Sequence, residues 1–589
     1  MTIDDALSAA DELAAKTFAR WKVPGVAYGV VRDGELIHTR GLGTIRVGED
    51  RVPDAESVFR IASMTKSFTA ATVLLLRDEG RLRLDDPVGQ HVPELANLRG
   101  PTADSPVITI RHLLTMTAGF PTDDPWGDRQ QGLDLDRFAE LLRGGISFAW
   151  APGVRFEYSN LGYGILGRVI TNAAGREYRE VVRDRFLVPL GMRSTTYFES
   201  DVPEHRLVHG YIWRDDEFLD EPLDPYGALA SMGGVFTTIC DLSTWVGEFS
   251  DAFPPRDDPE SGHPLGRASR REMQQPQRPF GPSVTYASAD AAPDLGGGGY
   301  GYGLVALDHL RWGRIVTHSG GYPGFGSDMR WHPASGYGII VLANGRYAPA
   351  TVMARELFNR VLESAAAQAR RIRPAAPTEA ARGVVEALLE SWDEGAAAHL
   401  FAMNVDLDLP IAKRRQAIER MREIHGSLRP DPDAPAESQS PFDVTWWMRG
   451  ERGRLKVEIQ LSPEKEPRVQ TLNLTSVPEP TPELQRAAEQ IVAALAASDT
   501  VSPRWPTSLE VGPDVDRHAL DRACRATEAR FGTVKLGPPI AGDGVKTATF
   551  RLECARGKVD LRLERNPEDG VLTAVGLVPV PFAAPPFAD

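Results

Sequence analysis

Ser63 and Lys66 stand three residues apart in Phe59-Arg60-Ile61-Ala62-Ser63-Met64-Thr65-Lys66, which runs on into the apolar stretch Ser67–Leu76. Residues three apart share one face of a helix, so the lysine amine can reach the serine hydroxyl. A free hydroxyl is a poor nucleophile, and an adjacent base is what activates it. Burial disfavours charge on a lysine and a helix N-terminus disfavours it again, so Lys66 can become a usable base. Spacing alone is a weak signal. Ser462-Pro463-Glu464-Lys465 repeats it in a turn, where the match is chance; placement on an apolar helix sets Ser63 apart.

Two further segments carry complementary chemistry. Phe156-Glu157-Tyr158-Ser159-Asn160 holds the one Tyr-x-Asn among thirteen tyrosines, and it precedes the Gly-rich helical pattern Leu161–Gly167. A phenol beside a serine–lysine pair can relay a proton, and an amide can orient both the lysine and a substrate carbonyl. Ile315-Val316-Thr317-His318-Ser319-Gly320-Gly321 reads as a strand ending in small residues, where a substrate backbone could pair. Taken singly, Tyr158 also fits a core tyrosine and His318 a satisfied structural histidine.

In this order, separated by about 95 and about 160 residues, Ser-x-x-Lys, Tyr-x-Asn and His-x-Gly resemble the penicillin-recognising serine hydrolases. The branch they resemble comprises class C β-lactamases, D-aminopeptidases, related esterases and the eukaryotic β-lactamase-like protein. Val23–Val26, Arg81–Val88, Ile110–Gly119 and Gly233–Leu242 agree with it, and the likeness covers roughly residues 5–370.

The resemblance implies an α+β fold: an antiparallel sheet covered by helices, with an all-helical subdomain. It implies Ser63 as acyl-forming nucleophile, Lys66 as its base and Tyr158 as proton shuttle. Asn160, His318 and Gly320 would bind and orient the substrate. The backbone N–H groups of Ser63 and Gly321 would form an oxyanion hole. No cofactor or metal is called for, and the expected substrate is a small ester, amide or short peptide.

His318 is the departure. Many relatives carry a lysine here, a fixed cation facing a substrate carboxylate, whereas an unperturbed histidine is mostly neutral at pH 7. Esters, amides or D-amino-acid amides are therefore expected over carboxylate-bearing substrates. A non-catalytic binding or assembly protein, and a true β-lactamase or D-Ala-D-Ala carboxypeptidase, stay as alternatives. Met116 and Ala118, where relatives often have His and Ser, read as packing changes.

The elements that must hold these groups begin with a helix over Asp5–Trp21. Two alternating strands follow, Val26–Arg32 and Glu35–Arg40, with the hairpin signal Asp33-Gly34 between them. Strand-like Arg314–His318 and Tyr337–Leu342 and a helical pattern over Ala348–Arg371 lie at the far end, so distant segments close the sheet. Phe253–Gly299 shifts to Pro, Asp, Ser and Gly, which reads as a mobile surface insertion or a lid. Specificity is expected in loops such as Thr122–Leu133 and Phe253–Gly299.

Beyond a linker at Arg373–Thr378, a repeat of roughly 100 residues divides the remainder. The expected domains are 1–372, a hydrolase, and two α+β modules, 373–479 and 480–589, similar to cystatin-like or NTF2-like folds. Each module is read as two helices followed by strands. The helices begin at Pro377 and at Thr481, the latter running to Ala497. Arg452–Ile459 matches Arg556–Leu563. Trp446-Trp447 is read as core and edge packing. The modules offer a route to a homo-oligomer.

The chain has 589 residues, 42% hydrophobic and 25% charged, ordinary globular values that exclude wholesale disorder. Net charge −15 argues against nucleic-acid or anionic-membrane binding, which needs clustered cations. Three cysteines (Cys240, Cys524, Cys554) are too few and too scattered for a disulfide framework; Cys524 and Cys554 could in principle pair but read as buried free thiols. No apolar run approaches the roughly 18 residues of a membrane helix, and the acidic N-terminus lacks a secretory signal, so a cytoplasmic location is expected. His-Glu-x-x-His, Cys-x-x-Cys, P-loop and Gly-x-Ser-x-Gly motifs are absent from the sequence.

Overall fold

A computed structural model describes residues 3–260, 262–285, 294–309, 312–364, 373–496, 506, 509–513, 515–555 and 557–580. Contacts group the chain into two compact units, one formed by the described residues of 3–283 and 295–364, the other by those of 284–294 and from 373 onward.

The first unit is built on one antiparallel sheet. Helix α1 (Ile3–Phe18) leads into β1 (Gly25–Arg32) and β2 (Glu35–Gly43). Asp33 and Gly34 turn between these strands with φ of 49° and 85°, the conformation a two-residue hairpin demands. Far along the chain come β3 (Asp294–Tyr300), β4 (Val305–His309), β5 (Gly313–Tyr322), β6 (Phe325–His332) and β7 (Tyr337–Ala343). The order across the sheet is β2-β1-β7-β6-β5-β4-β3, and Arg278–Pro279 pairs on the outer side of β3. Closure joins β1 to β7, with Val26 opposite Ala343 and Arg32 opposite Tyr337.

Both faces of this sheet are covered, and side-chain alternation shows how. On β7, Ile339, Val341 and Ala343 enter a core with α1 and the helix Ala350–Ser364, whereas Ile340 and Leu342 enter the larger core on the opposite face. On β1, Val26, Tyr28 and Val30 take the first side and Ala27 and Val31 the second. Ala10 and Ala14 of α1 are fully buried, small enough to let that helix lie close. The larger core holds α2 (Thr65–Asp78), α3 (Asn160–Ala174) and α4 (Ile239–Asp251). Every residue of α2 from Thr65 to Leu76 is buried. Trp245 of α4 fixes α2 by stacking on Phe68 at 4.0 Å and donating its indole N–H to Ser67 Oγ at 3.0 Å.

The structure corrects the reading of Phe253–Gly299 as a surface insertion. Arg267–Met273 forms a helix whose Arg267, Ser269, Arg270 and Met273 are buried, and the Gly-rich run belongs to β3, paired with β4. Gly and Pro suggested a loop by composition, but the backbone of Gly296–Gly299 is paired in a ladder. Residues 286–293 of this stretch lie outside the described residues, as do 365–372 of the C-terminal helical pattern.

In the second unit, helices Ala376–Glu390 and Ile411–His425 accompany a four-stranded antiparallel sheet ordered Arg429–Pro430, Asp443–Gly450, Gly453–Leu461, Val469–Pro478. Helices Pro482–Ala496 and Arg517–Phe531 accompany a second such sheet, ordered Val534–Ala541, Thr547–Cys554, Gly557–Arg565, Leu572–Pro579. Gly453–Leu461 and Gly557–Arg565 each stand third in their sheets; Arg556 and Ala497 lie outside the described residues. Trp446 is buried, and Trp447 beside it lies under the Arg454 guanidinium at 4.3 Å. The three cysteines are free; Cys524 is buried as expected, while Cys554, also expected to be buried, is only partly so, as is Cys240. Among the described residues no helix is long and apolar enough to cross a membrane.

Candidate active site

Ser63 lies in a single 3-10 turn, Ala62–Met64, just before α2, so the serine precedes the helix and Lys66 sits in its first turn. Ala62 has φ of 50°, a left-handed conformation that costs a non-glycine residue energy and here aims the next side chain. The Lys66 amine is fully buried and makes three hydrogen bonds: to Ser63 Oγ at 3.0 Å, Asn160 Oδ1 at 2.7 Å and the Met232 carbonyl at 2.8 Å. Three acceptors use its three protons and leave its reach toward Ser63 fixed. Burial lowers its pKa to about 8, and the carboxylates of Asp124, Asp128 and Asp123 oppose the fall.

Asn160 opens α3 behind the cap Ser159, whose hydroxyl accepts from Gly162 N at 3.1 Å. Asp123 accepts the Asn160 and Leu161 amides at 2.6 and 2.8 Å, an anion at the helix N-terminus where the macrodipole favours it. The Asn160 side-chain amide donates to Asp124 Oδ1 at 2.8 Å, so its own carbonyl must face Lys66. Tyr158 is partly buried, its ring centroid lies 5.0 Å from Lys66 Nζ, and its phenol lies near enough to Ser63 for that hydroxyl to favour its ionised form. Burial first, and then the Asp124 charge, push its phenol pKa well above the ordinary value, which keeps it protonated at neutral pH.

His318, on β5, is buried and neutral. Burial and the Lys66 charge lower its pKa to about 3. The hydrogen-bond pattern assigns its tautomer: Nδ1–H donates to the Ser319 carbonyl at 2.7 Å, and Nε2 accepts from the Tyr300 hydroxyl at 3.2 Å. Both ring nitrogens are thus engaged inside the fold. Gly320 abuts the turn before Ser63, because a Cβ there would stand 2.2 Å from the Ile61 carbonyl oxygen. Gly321 lies beneath the Tyr347 ring.

Ser63, Lys66, Tyr158 and Asn160 therefore form one cluster, with the Gly320–Gly321 end of β5 packed against its serine turn. Sequence reasoning missed Asp123, Asp124, Asp128, Tyr300, Tyr347 and the Met232 carbonyl. Met116, where a histidine was more usual, has φ of 57° and accepts the Ser159 amide on its sulfur at 3.4 Å, a packing role. Among the described residues no group of three His, Cys, Asp or Glu side chains is arranged to hold a metal.

The beta-lactamase family model matches residues 10–362, well over half the chain. The chain belongs to the beta-lactamase family. Protein flp of Staphylococcus aureus (strain MW2) is 28% identical over 355 residues, spanning 59% of this chain and 66% of that protein. The chain thus spans just under two thirds of the length of flp. The D-alanyl-D-alanine-carboxypeptidase/endopeptidase AmpH of Escherichia coli (strain K12) is 30% identical over 324 residues, 53% of this chain and 77% of AmpH. Among solved structures, the octameric penicillin-binding protein homologue from Pyrococcus abyssi aligns with a TM-score of 0.51 at 21% identity, covering 80% of this chain and 99% of that one. The fold of the first unit is that of the beta-lactamase family, as its sequence motifs imply.

Proposed function

We propose that this protein is a serine hydrolase that cleaves a small ester or amide, or a short peptide, through an acyl-enzyme on Ser63. The observation that carries the reading is the Lys66 amine, 3.0 Å from Ser63 Oγ and locked there by Asn160 and Met232. Neutral Lys66 takes the Ser63 proton as Oγ attacks the carbonyl carbon. The oxyanion is received by the Ser63 and Gly321 N–H groups, a contribution of about 2.7–4 kcal/mol per donor in comparable sites. Tyr158 gives its proton to the leaving group and regains one from Lys66. Water then releases the acyl group by the reverse relay.

A fluorophosphonate probe tests for the activated nucleophile. Intact-mass measurement is expected to find one adduct on the wild-type chain and none on Ser63→Ala. An unlabelled wild type, or a labelled variant, overturns the assignment.

The name of AmpH raises a second reading, a D-Ala-D-Ala carboxypeptidase, whose substrate ends in a carboxylate. A neutral, internally bonded His318 offers that carboxylate no cation. We therefore expect D-Ala-D-Ala peptides to be cleaved at least tenfold more slowly than the same peptides capped as C-terminal esters, compared by kcat/KM at pH 8. A preference for the free carboxylate favours the carboxypeptidase. The octameric homologue supports an oligomer of this chain as well, to be read by light scattering.

A further inference from the structure

A seam between α3 and residues 226–232 joins the Lys66 site to a separate cavity. At one end of the seam Asn160 Oδ1 and the Met232 carbonyl meet on the Lys66 amine. Gly164, Gly167 and Thr171 follow Asn160 on the same face of α3, at helical spacing. Gly164 faces Leu229 and Gly167 faces Ser231, where a Cβ would stand 3.0 Å from Leu229 Cγ and 2.3 Å from Ser231 Oγ. Gly167 thus has room for no side chain and Gly164 for little, so helix and segment are closely applied. Near Gly167, about 10 Å along the helix from Asn160, the seam opens into a cavity of about 240 Å³.

The cavity walls are chiefly apolar and aromatic, with Phe138, Tyr178, Tyr226, Leu133, Leu135 and Ala228 among them. Of the charged residues there, Arg168 pairs with Glu94 at 3.1 Å and Glu177 with Arg179 at 2.9 Å. Asp134 is exposed and caps the helix Leu135–Arg143, accepting the Arg137 amide at 2.8 Å. None of the three is a buried, uncompensated charge, so the walls ask no charge of a ligand. An apolar cavity of about 150 Å³ accommodates benzene, which leaves space here for two fused rings. A flat, uncharged aromatic molecule is the class that rings and aliphatic groups of this kind pack against.

The same walls are bonded to the reacting helix. Thr69, three residues after Lys66 in α2, donates to the Ser231 carbonyl at 2.6 Å. That bond uses its one proton, so Tyr178 donates to Thr69 Oγ1 at 2.8 Å and Tyr197 donates to Tyr178 at 2.7 Å. Ser231 in turn donates to the Tyr163 carbonyl of α3 at 2.8 Å. Tyr178 and Ser231 therefore line the cavity and also tie α2, α3 and the residue before Met232 into one buried network. The cavity and the three bonds of Lys66 are formed together in one structure, so a molecule that fits the first stabilises the second.

We propose that this cavity is a second binding site, for a neutral aromatic molecule of one or two rings, and that its occupation raises the reactivity of Ser63 by holding Asn160 and Met232 on Lys66. The coupling rests on the proposed function; the binding site does not.

Indole is the probe. Calorimetry on the full chain is expected to find one saturable site per chain with a Kd of about 1 mM or below, and the melting temperature to rise with indole concentration. The rate at which fluorophosphonate labels Ser63 is expected to rise about fivefold at saturation, the lower end of ordinary coupling between sites. Ala228→Leu and Leu133→Trp, which add bulk to two different walls, are each expected to weaken indole binding about tenfold or more. Should one not fold, the other decides, and the wild-type titration needs neither. The inference is overturned by the absence of saturable binding, by binding undiminished in the filled variants, or by saturation that leaves labelling unchanged or slower. Failure of Ser63 to label at any indole concentration overturns the proposed function and the coupling with it, and calorimetry then still decides the site.

Discussion

Replacing Lys66 with alanine is expected to lower kcat/KM for a small ester about 10³-fold, within the range by which positioned general bases accelerate proton transfer. The variant also strands Asn160 Oδ1, the Met232 carbonyl and Ser63 Oγ, which all lose the donor they share. A change in pH profile separates loss of the base from mere loosening. In the proposed mechanism Lys66 acts as the neutral amine, and its pKa is about 8. In the wild type kcat/KM should therefore rise about tenfold per pH unit up to about pH 8 and then level, following the neutral fraction. Lys66→Ala should lose that limb along with the rate.

No other group in the cluster can produce the same limb. His318 titrates near 3, far below it, and the Tyr158 phenol lies well above it. A wild-type limb centred near 6 would instead direct attention to Asp128, whose pKa burial raises to about 6. The proposed division of labour fits burial: the amine is pushed down until it can accept a proton at neutral pH, and the phenol is pushed up so that it rests protonated between transfers.

The parts of this site that were legible in the sequence are those with a local signal. Ser63 and Lys66 are three apart on a buried run, Tyr158 and Asn160 flank a helix cap, and Asp33-Gly34 is turn chemistry that needs no tertiary context. The carboxylates around Lys66 had no such signal. Asp123, Asp124 and Asp128 are three of 81 acidic residues, and nothing in their order says that a helix starting at Asn160 folds onto them. The Met232 carbonyl is main chain, so no residue type could reveal it. Tyr300 was obscured by the glycines preceding it, whose composition suggested a loop although their backbones pair in β3. Tyr347 takes a positive φ that glycine or asparagine would advertise and tyrosine does not.

Gly320→Ala is expected to reduce kcat on a small ester about 10²-fold, comparable to removing one oxyanion donor, without touching any reacting side chain. The added methyl would stand 2.2 Å from the Ile61 carbonyl oxygen, 2.3 Å from Ser327 Oγ and 3.1 Å from the Ala62 Cβ. Ser327 cannot simply rotate away without giving up the hydrogen bond it donates to that same carbonyl at 2.8 Å. Ile61 and Ala62 cannot retreat without moving Ser63, because Ala62 already holds a left-handed φ to present it. The strand must therefore withdraw, and the Gly321 N–H withdraws with it from the Ser63 N–H. Overpacking of this kind costs about 1–3 kcal/mol, visible as a lowered melting temperature. Gly321→Ala supplies the contrast. Its methyl meets the Tyr347 ring edge at 2.9 Å, a side chain half open to solvent that can shift, so stability and kcat should change far less. Equal losses in the two variants would mean that the separation of β5 from the serine turn does not govern turnover.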